Sequence, residues 1–183
     1  MPSPKIATYD KKPEMSLPKL IKEFLRALNK DIYSFFLINF ANSDMVGHTG
    51  NLPATIKAIE YVDKYLGILV DRVLGVNGTI FITADHGNAE ELLTFPSTTF
   101  FFTSSSGSVN TDHSNNPVPF IAVNKKLRGI KKTFSEGGLS DVAPTILGFM
   151  GIEISPLMTG KNIFDQKNEL NKPLPVQEEV KSN

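Results

Sequence analysis

Five residues of types that bind metal ions lie near the ends of apolar runs that read as strands. The chain has only three histidines and no cysteine. Imidazole nitrogen combined with carboxylate oxygen is a ligand set for divalent transition metals such as manganese, not for calcium or a thiolate-bound ion. The sequence therefore suggests metal-assisted chemistry at Asp44, His48, Asp85, His86 and His113.

Asp44 and His48 belong to the segment NFANSDMVGHTG, residues 39–50, in which Gly47 and Gly50 permit tight turns. A carboxylate and an imidazole four residues apart can bind one cation from a single loop or helical turn. A second interpretation stays open for this pair alone: Asp44 caps a helix and His48 is a solvated loop residue.

Asp85 and His86 lie in TADHGNAEE, residues 83–91, and His113 lies in TDHSNNPVPF, residues 111–120. Adjacent residues of an extended chain face opposite ways, so Asp85 and His86 can share a metal only if the chain kinks, which Gly87 permits. Each segment alone is also compatible with a surface histidine. Together the segments gain weight, because loops at the carboxyl ends of parallel strands converge on one crevice.

The hydrophobic pattern that must position these residues alternates between helix and strand periods, which predicts an α/β fold. Helices are expected at 16–29, capped by Ser16, at about 52–74, capped by Asn51 or Thr49, and at about 140–150, capped by Ser140 and ending at Gly151. Buried strands are expected at 32–40, 79–84 and 118–123, with a long irregular connection at 93–116. Residues 1–164 are predicted to form one domain and 165–183 a polar, disordered tail.

Composition excludes several functional classes. Lys plus Arg and Asp plus Glu both number 19, so no net charge favours nucleic acid as a partner. No run reaches the roughly 18 apolar residues of a membrane span. The lack of cysteine fits a reducing compartment, and the expected location is cytoplasmic.

Five segments, in this order, resemble cofactor-independent phosphoglycerate mutases: SPKIATYD with PEMS (3–16), NFANSDMVGHTG, ADHGNAEE, HSNNPVPF and GGLSDVAPTILGFMGI (137–152). They cover residues 3 to about 164. ADHGN with the later HSNNPVP is shared more loosely with the alkaline phosphatase superfamily. The resemblance implies a three-layer, alkaline-phosphatase-like α/β fold with a mostly parallel sheet that is incomplete at its N-terminal side.

The resemblance also implies two manganese ions and no requirement for 2,3-bisphosphoglycerate. Asp44, His48 and His113 match the ligands of one ion, and Asp85 and His86 match ligands of the other. Members of the family interconvert 3-phosphoglycerate and 2-phosphoglycerate through a phosphoserine.

The family's N-terminal segment, with an aspartate ligand and the nucleophilic serine, has no counterpart here, nor has its substrate-binding domain. No catalytic residue is therefore identified, and the chain is expected to be a fragment, inactive and marginally stable alone, whose missing portion is a candidate partner chain. Two alternatives stay open: a generic metal-dependent phosphatase or sulfatase-like hydrolase, and a non-catalytic metal-binding fragment.

Overall fold

A computed structural model describes residues 1–94, 108–129 and 136–164. The chain divides into two compact units, Met1–Arg128 and Gly129–Asn183. The predicted tail at 165–183 and the Phe- and Ser-rich stretch at 95–107 lie outside the described residues. A single domain over 1–164 stays a prediction.

The described part of the first unit contains three α-helices. Two lie close to predicted helices, and the third lies within the segment 39–50, which is expected to form a loop or a helical turn. They are α1 (Leu17–Leu28), α2 (Asn42–Gly47) and α3 (Leu52–Gly75). Asn51 caps α3 as predicted, because its side-chain oxygen accepts a hydrogen bond from the Ala54 amide at 3.1 Å. Ser16 occupies the N-cap position of α1, but its hydroxyl donates instead to the Pro2 carbonyl at 2.8 Å.

Four strands form two small antiparallel ladders: β1 (Ile80–Thr83), β2 (Leu93–Thr94), β3 (Ser108–Val109) and β4 (Phe120–Val123). β1 pairs with β4, and Thr83 stands opposite Phe120. β2 pairs with β3 inside the stretch that was predicted to be irregular. Both pairs are antiparallel although the sequence predicted parallel neighbours, so the residues after β1 adjoin those before β4.

Two apolar clusters hold the first unit together. The larger consists of buried side chains from α1, α3 and β1, and its members are Ile21, Phe24, Leu69, Val73 and Ile80. The smaller joins Val46 of α2 to Ala54 and Ala58 of α3, with Tyr9 from the short 3₁₀ helix Tyr9–Lys11 packed against it. Val46 and Ala58 are fully buried, so α2 is fixed on α3 by close packing.

Residues 32–40 do not pair with any other described strand, which differs from the predicted buried strand. Their side chains nevertheless alternate. Phe36, Ile38 and Phe40 pack against the larger cluster, whereas Leu37 is 89% exposed. The prediction of a buried strand is wrong here, because only one side of the segment faces the core. A strand also needs a hydrogen-bonded neighbour, and the described residues offer none here.

The described part of the second unit contains a 3₁₀ turn (Leu139–Asp141), α4 (Val142–Met150) and the segment that follows. Gly151 ends α4 with φ 70°, as predicted. The prediction that Ser140 caps this helix is wrong. Asp141 organises its start, since the carboxylate accepts hydrogen bonds from the Gly138 amide at 2.9 Å and the Lys161 amide at 2.7 Å.

Helices long and apolar enough to cross a membrane are absent from the described part of the chain.

Replacing Leu69 by alanine should lower the free energy of unfolding by about 2–5 kcal/mol, because it opens a cavity in the larger cluster. Ile59 lies on the same helix but is 45% exposed, so Ile59→Ala should change stability by less than about 0.5 kcal/mol. Urea unfolding followed by circular dichroism measures both variants. Equal losses would contradict the assignment of Leu69 to the core.

The backbone hydrogen bonds from Lys161 and Gly138 lower the pKa of Asp141 from its usual 3.8. A carboxyl with a depressed folded-state pKa stabilises the fold above its unfolded-state pKa, and this contribution is lost as pH falls through the folded-state value. The protection of the Lys161 amide against hydrogen exchange, relative to its intrinsic rate at each pH, should therefore fall as pH drops below about 4. Asp141→Asn should remove this acid dependence. The same acid response in both proteins would exclude Asp141 as its source.

Candidate metal centre

Asp44 and His48 are brought together by helix α2. The His48 amide donates to the Asp44 carbonyl at 2.9 Å, which completes one helical turn and places the two side chains on the same face. Gly50 follows with φ 67°, a left-handed conformation that favours glycine. The predicted tight turn therefore occurs at Gly50, and it sends the chain into α3.

The antiparallel pairing of β1 and β4 brings His86 and His113 to the same place. His86 follows β1 and His113 precedes β4, and the ladder is extended by a bridge between Gly87 and Ser114. The two imidazole rings stack with centroids 3.5 Å apart. The sequence predicted this convergence from parallel strand ends, but the antiparallel pair produces it, because opposite ends of its two strands adjoin.

Three ligand atoms form a nearly equilateral triangle. Oδ1 of Asp44 lies 3.1 Å from Nε2 of His48 and 3.2 Å from Nε2 of His113. The two Nε2 atoms are 3.1 Å apart. Ligand atoms about 2.1 Å from a metal ion in tetrahedral or octahedral geometry are ~3.0–3.4 Å from one another. The triangle thus has the size of one face of a metal coordination shell.

The hydrogen-bond partner of His48 leaves its other ring nitrogen able to bind a cation in this triangle. Nδ1 of His48 lies 2.5 Å from the Thr111 carbonyl oxygen, which can only accept, so Nδ1 carries the proton and neutral His48 presents a lone pair at Nε2. That lone pair faces the Asp44 carboxylate. Two electron-rich atoms at this distance repel unless a proton or a metal ion lies between them. A backbone partner for the second ring nitrogen is also typical of metal-binding histidine.

Asp44 itself fits a metal ligand. Its Oδ1 atom is buried and has no hydrogen-bond partner among the described residues. A buried carboxylate oxygen without a partner is costly, and coordination of a cation removes that cost. Oxygen and nitrogen donors of Asp44, His86 and His113 also lie within 4.8 Å of one another. The residues present therefore fit a divalent transition metal.

Asp85 lies at the margin of this cluster. Its side chain is 88% exposed, and its Oδ1 atom lies 3.6 Å from Nε2 of His86. The geometry gathers Asp44, His48, His86 and His113, and it does not divide the five predicted ligands into two separate groups. The assignment of Asp85 and His86 to a second ion stays a prediction.

Glu90 joins the loop that carries His86 to the loop that carries His113, and its role was not predicted from the sequence. Glu90 accepts hydrogen bonds from the Ser114 hydroxyl, from the Asn88 amide at 2.8 Å and from the Asn116 side chain at 3.2 Å. The hydrogen bond from Ser114 is the main cause that lowers the pKa of Glu90 to about 2, so the group is ionised at neutral pH. This charge-assisted network fixes the His86 loop against the His113 loop.

Gly87 lies so close to the hydrogen bond between Glu90 and Ser114 that only a residue without a side chain fits there. A Cβ atom there would lie 2.1 Å from Glu90 Oε1 and 2.2 Å from Ser114 Oγ. Its φ is not positive, so the expected backbone kink is not what requires glycine. Glu90 and Ser114 stand in the recognised segments ADHGNAEE and HSNNPVPF, and their polar character beside metal-binding residues was the available signal.

Asp44→Asn should weaken Mn²⁺ binding by more than about 100-fold, beyond the 10–100-fold typical of residues that only support a ligand. The substitution keeps the size of the side chain but removes the charge that faces two imidazoles. Titration of the full chain with Mn²⁺, with free ion followed by electron paramagnetic resonance, measures the change. Asp63→Asn on the exposed surface of α3 is the matched control, and affinities that stay equal in the two variants would remove Asp44 from the site.

Known proteins similar to this chain are phosphoglycerate mutases. The "2,3-bisphosphoglycerate-independent phosphoglycerate mutase" of Clostridium acetobutylicum is 48% identical over 163 residues, which is 89% of this chain and 30% of the relative. That of Clostridium beijerinckii is 46% identical over 167 residues, 91% of this chain and 30% of the relative. The chain thus spans about 30% of the length of these curated relatives.

A solved structure and a family model agree with these relatives. The crystal structure of Leishmania mexicana phosphoglycerate mutase at low cobalt concentration superposes with a TM-score of 0.75 and 30% identity, over 88% of this chain and 30% of that one. The predicted alkaline-phosphatase-like fold is thereby confirmed. The model of the Metalloenzyme superfamily matches residues 1–154, and the chain therefore belongs to the Metalloenzyme superfamily.

Proposed function

We propose that this chain is the metal-binding part of a cofactor-independent phosphoglycerate mutase, which interconverts 3-phosphoglycerate and 2-phosphoglycerate in glycolysis and gluconeogenesis. The triangle of Asp44, His48 and His113 carries the proposal, because ligand atoms 3.1–3.2 Å apart match one face of a metal coordination shell. The identity of up to 48% with mutases supports this choice within the superfamily.

In this proposal Asp44, His48 and His113 hold one divalent ion, and His86 with Asp85 contributes to a second. Two manganese ions are proposed, and the cobalt named for the Leishmania structure is also a divalent transition metal. Such ions lower the pKa of a nucleophilic hydroxyl and neutralise charge on a transferring phosphoryl group. The Thr111 carbonyl contacts Nδ1 of His48 and orients the ring, so that Nε2 can bind the metal ion.

The proposed reaction needs groups beyond the metal ligands. We assign the nucleophilic serine that accepts the phosphoryl group, and the basic residues that bind the substrate, to polypeptide outside this chain, since this chain covers only 30% of the mutase of Clostridium acetobutylicum. That polypeptide is the proposed partner, and mutase activity is expected only in its presence. With small anionic substrates and no cysteine in the chain, the proposed location is cytoplasmic.

A metal-dependent phosphatase is the second candidate. The family model that matches is a superfamily model, broader than the mutases, and the metal cluster alone would serve phosphate ester hydrolysis equally well. The two candidates differ in the fate of the phosphoryl group, which a mutase returns to the glycerate and a phosphatase releases.

Adding the remaining segment of the Clostridium acetobutylicum mutase, produced as a separate chain, should give mutase activity with Mn²⁺, whereas this chain alone should have none. Conversion of 3-phosphoglycerate to 2-phosphoglycerate, coupled to enolase, measures it. Asp44→Asn should abolish activity of the mixture and Asp63→Asn should not, since Asp44 faces His48 and His113 whereas Asp63 lies on the exposed surface of α3.

Each alternative gives a different result in the same mixture. Release of inorganic phosphate from 4-nitrophenyl phosphate, without formation of 2-phosphoglycerate, would replace the mutase by the phosphatase. Binding of Mn²⁺ without either activity, in a mixture shown by sedimentation to have associated, would leave a non-catalytic metal-binding protein.

A further inference from the structure

Asn88 lies between the three segments that carry the histidines of the metal centre. It is 6% exposed and stands two residues after His86. Its side-chain amide reaches the two other segments, and its backbone binds the network of Glu90. A single small side chain therefore contacts groups next to each of the other two histidines.

The first contact is with helix α2. A Cβ atom added to Gly47, the residue before His48, would lie 2.0 Å from Oδ1 of Asn88, so the amide rests directly on the backbone of Gly47. That oxygen is buried and has no hydrogen-bond partner among the described residues. Because a buried polar atom without a partner is unfavourable, close packing must hold it there.

The second contact is with the His113 segment. Nδ2 of Asn88 donates to the carbonyl of Asp112, the residue before His113, at 3.2 Å. The backbone N–H of Asn88 donates a hydrogen bond to the carboxylate of Glu90. The same carboxylate accepts a hydrogen bond from the hydroxyl of Ser114, the residue after His113. His113 is thus held on both sides by groups that depend on Asn88 or Glu90.

We propose that Asn88 is a positioning residue of the metal centre: its side-chain amide, wedged between Gly47 and the Asp112 carbonyl, sets the separation of His48, His86 and His113. The inference rests on the proposed function only in assuming that these histidines bind a metal. Ligand distances in metal sites vary by only about 0.2 Å, so a shift of one segment by a methyl radius would disrupt binding.

Truncation of Asn88 to alanine should therefore weaken Mn²⁺ binding by the 10–100-fold typical of groups that orient metal ligands. Titration of the full chain with Mn²⁺ gives the affinity, and the visible absorption spectrum of the Co²⁺-loaded chain reports the ligand geometry. Both readouts are independent of catalysis. The Co²⁺ bands should shift or broaden in Asn88→Ala.

Gly47→Ala tests the same contact from the other side. Alanine is favoured over glycine inside a helix, but its methyl group would collide with Asn88 Oδ1, so Mn²⁺ binding should weaken about as much. In the double variant the shortened side chain at 88 makes room for that methyl. The double variant should then bind Mn²⁺ no worse than Asn88→Ala alone, which gives a strongly non-additive cycle.

Asn124→Ala is the matched control. Asn124 is also partly buried and donates through Nδ2, to Thr79 Oγ1 at 2.6 Å and to the Gly78 carbonyl at 3.3 Å, but it lies at the opposite end of β4 from His113. Its loss should lower the thermal midpoint and leave Mn²⁺ affinity within about twofold of the unaltered chain.

Mn²⁺ affinity of Asn88→Ala within about twofold of the unaltered chain, or additive effects in the double variant, would overturn the inference. If the unaltered chain does not bind Mn²⁺, both the metal centre and the proposed function are overturned. A chain that binds Mn²⁺ and shows the non-additive cycle, but gives no mutase activity in the mixture, would overturn the proposed function and support the role of Asn88.

Discussion

The candidate metal centre of the first unit depends on holding a carboxylate oxygen and imidazole nitrogens about 3 Å apart, which is the separation of ligands bound to one ion. The Asp44 carboxylate faces Nε2 of His48, which is a lone pair in the neutral tautomer set by Thr111. Apolar packing supplies the force that maintains this arrangement. Val46 is fully buried against α3, and it stands midway between Asp44 and His48 in the sequence, so close packing fixes the position from which α2 presents both side chains.

The opposite side of the site is held by a different interaction. The ionised Glu90 accepts three hydrogen bonds from two segments, and such bonds are stronger than neutral ones. The network adds to two short ladders that join these loops, the four-residue pair of β1 and β4 with its bridge at Gly87 and the two-residue pair of β2 and β3. Packing on one side and charge-assisted hydrogen bonding on the other thus share the task of fixing the ligands.

Sequence reasoning identified what depends on local pattern. The helices α1 and α3 follow from apolar residues at three- and four-residue steps, and the convergence of three histidines followed from their position beside strands. It missed what depends on tertiary neighbours. The antiparallel partner of β1, the contact of Gly87 with Ser114, and the role of Asn88 are set by residues 24 to 43 positions away in the sequence. Segment 32–40 shows the same limit, because its nearly continuous apolar run is visible in the sequence, whereas its burial on one side only and its lack of a paired strand among the described residues are not.

The short ladder between β2 and β3 bears on how this family can vary in length. Leu93 pairs with Val109 and Thr94 with Ser108, so positions 94 and 108 are held side by side. Closing a longer loop on such a base costs only about 0.6 kcal/mol for each doubling of its length. Insertions and deletions between positions 94 and 108 can therefore accumulate during evolution at little energetic cost, while the distance in space between His86 and His113 stays the same.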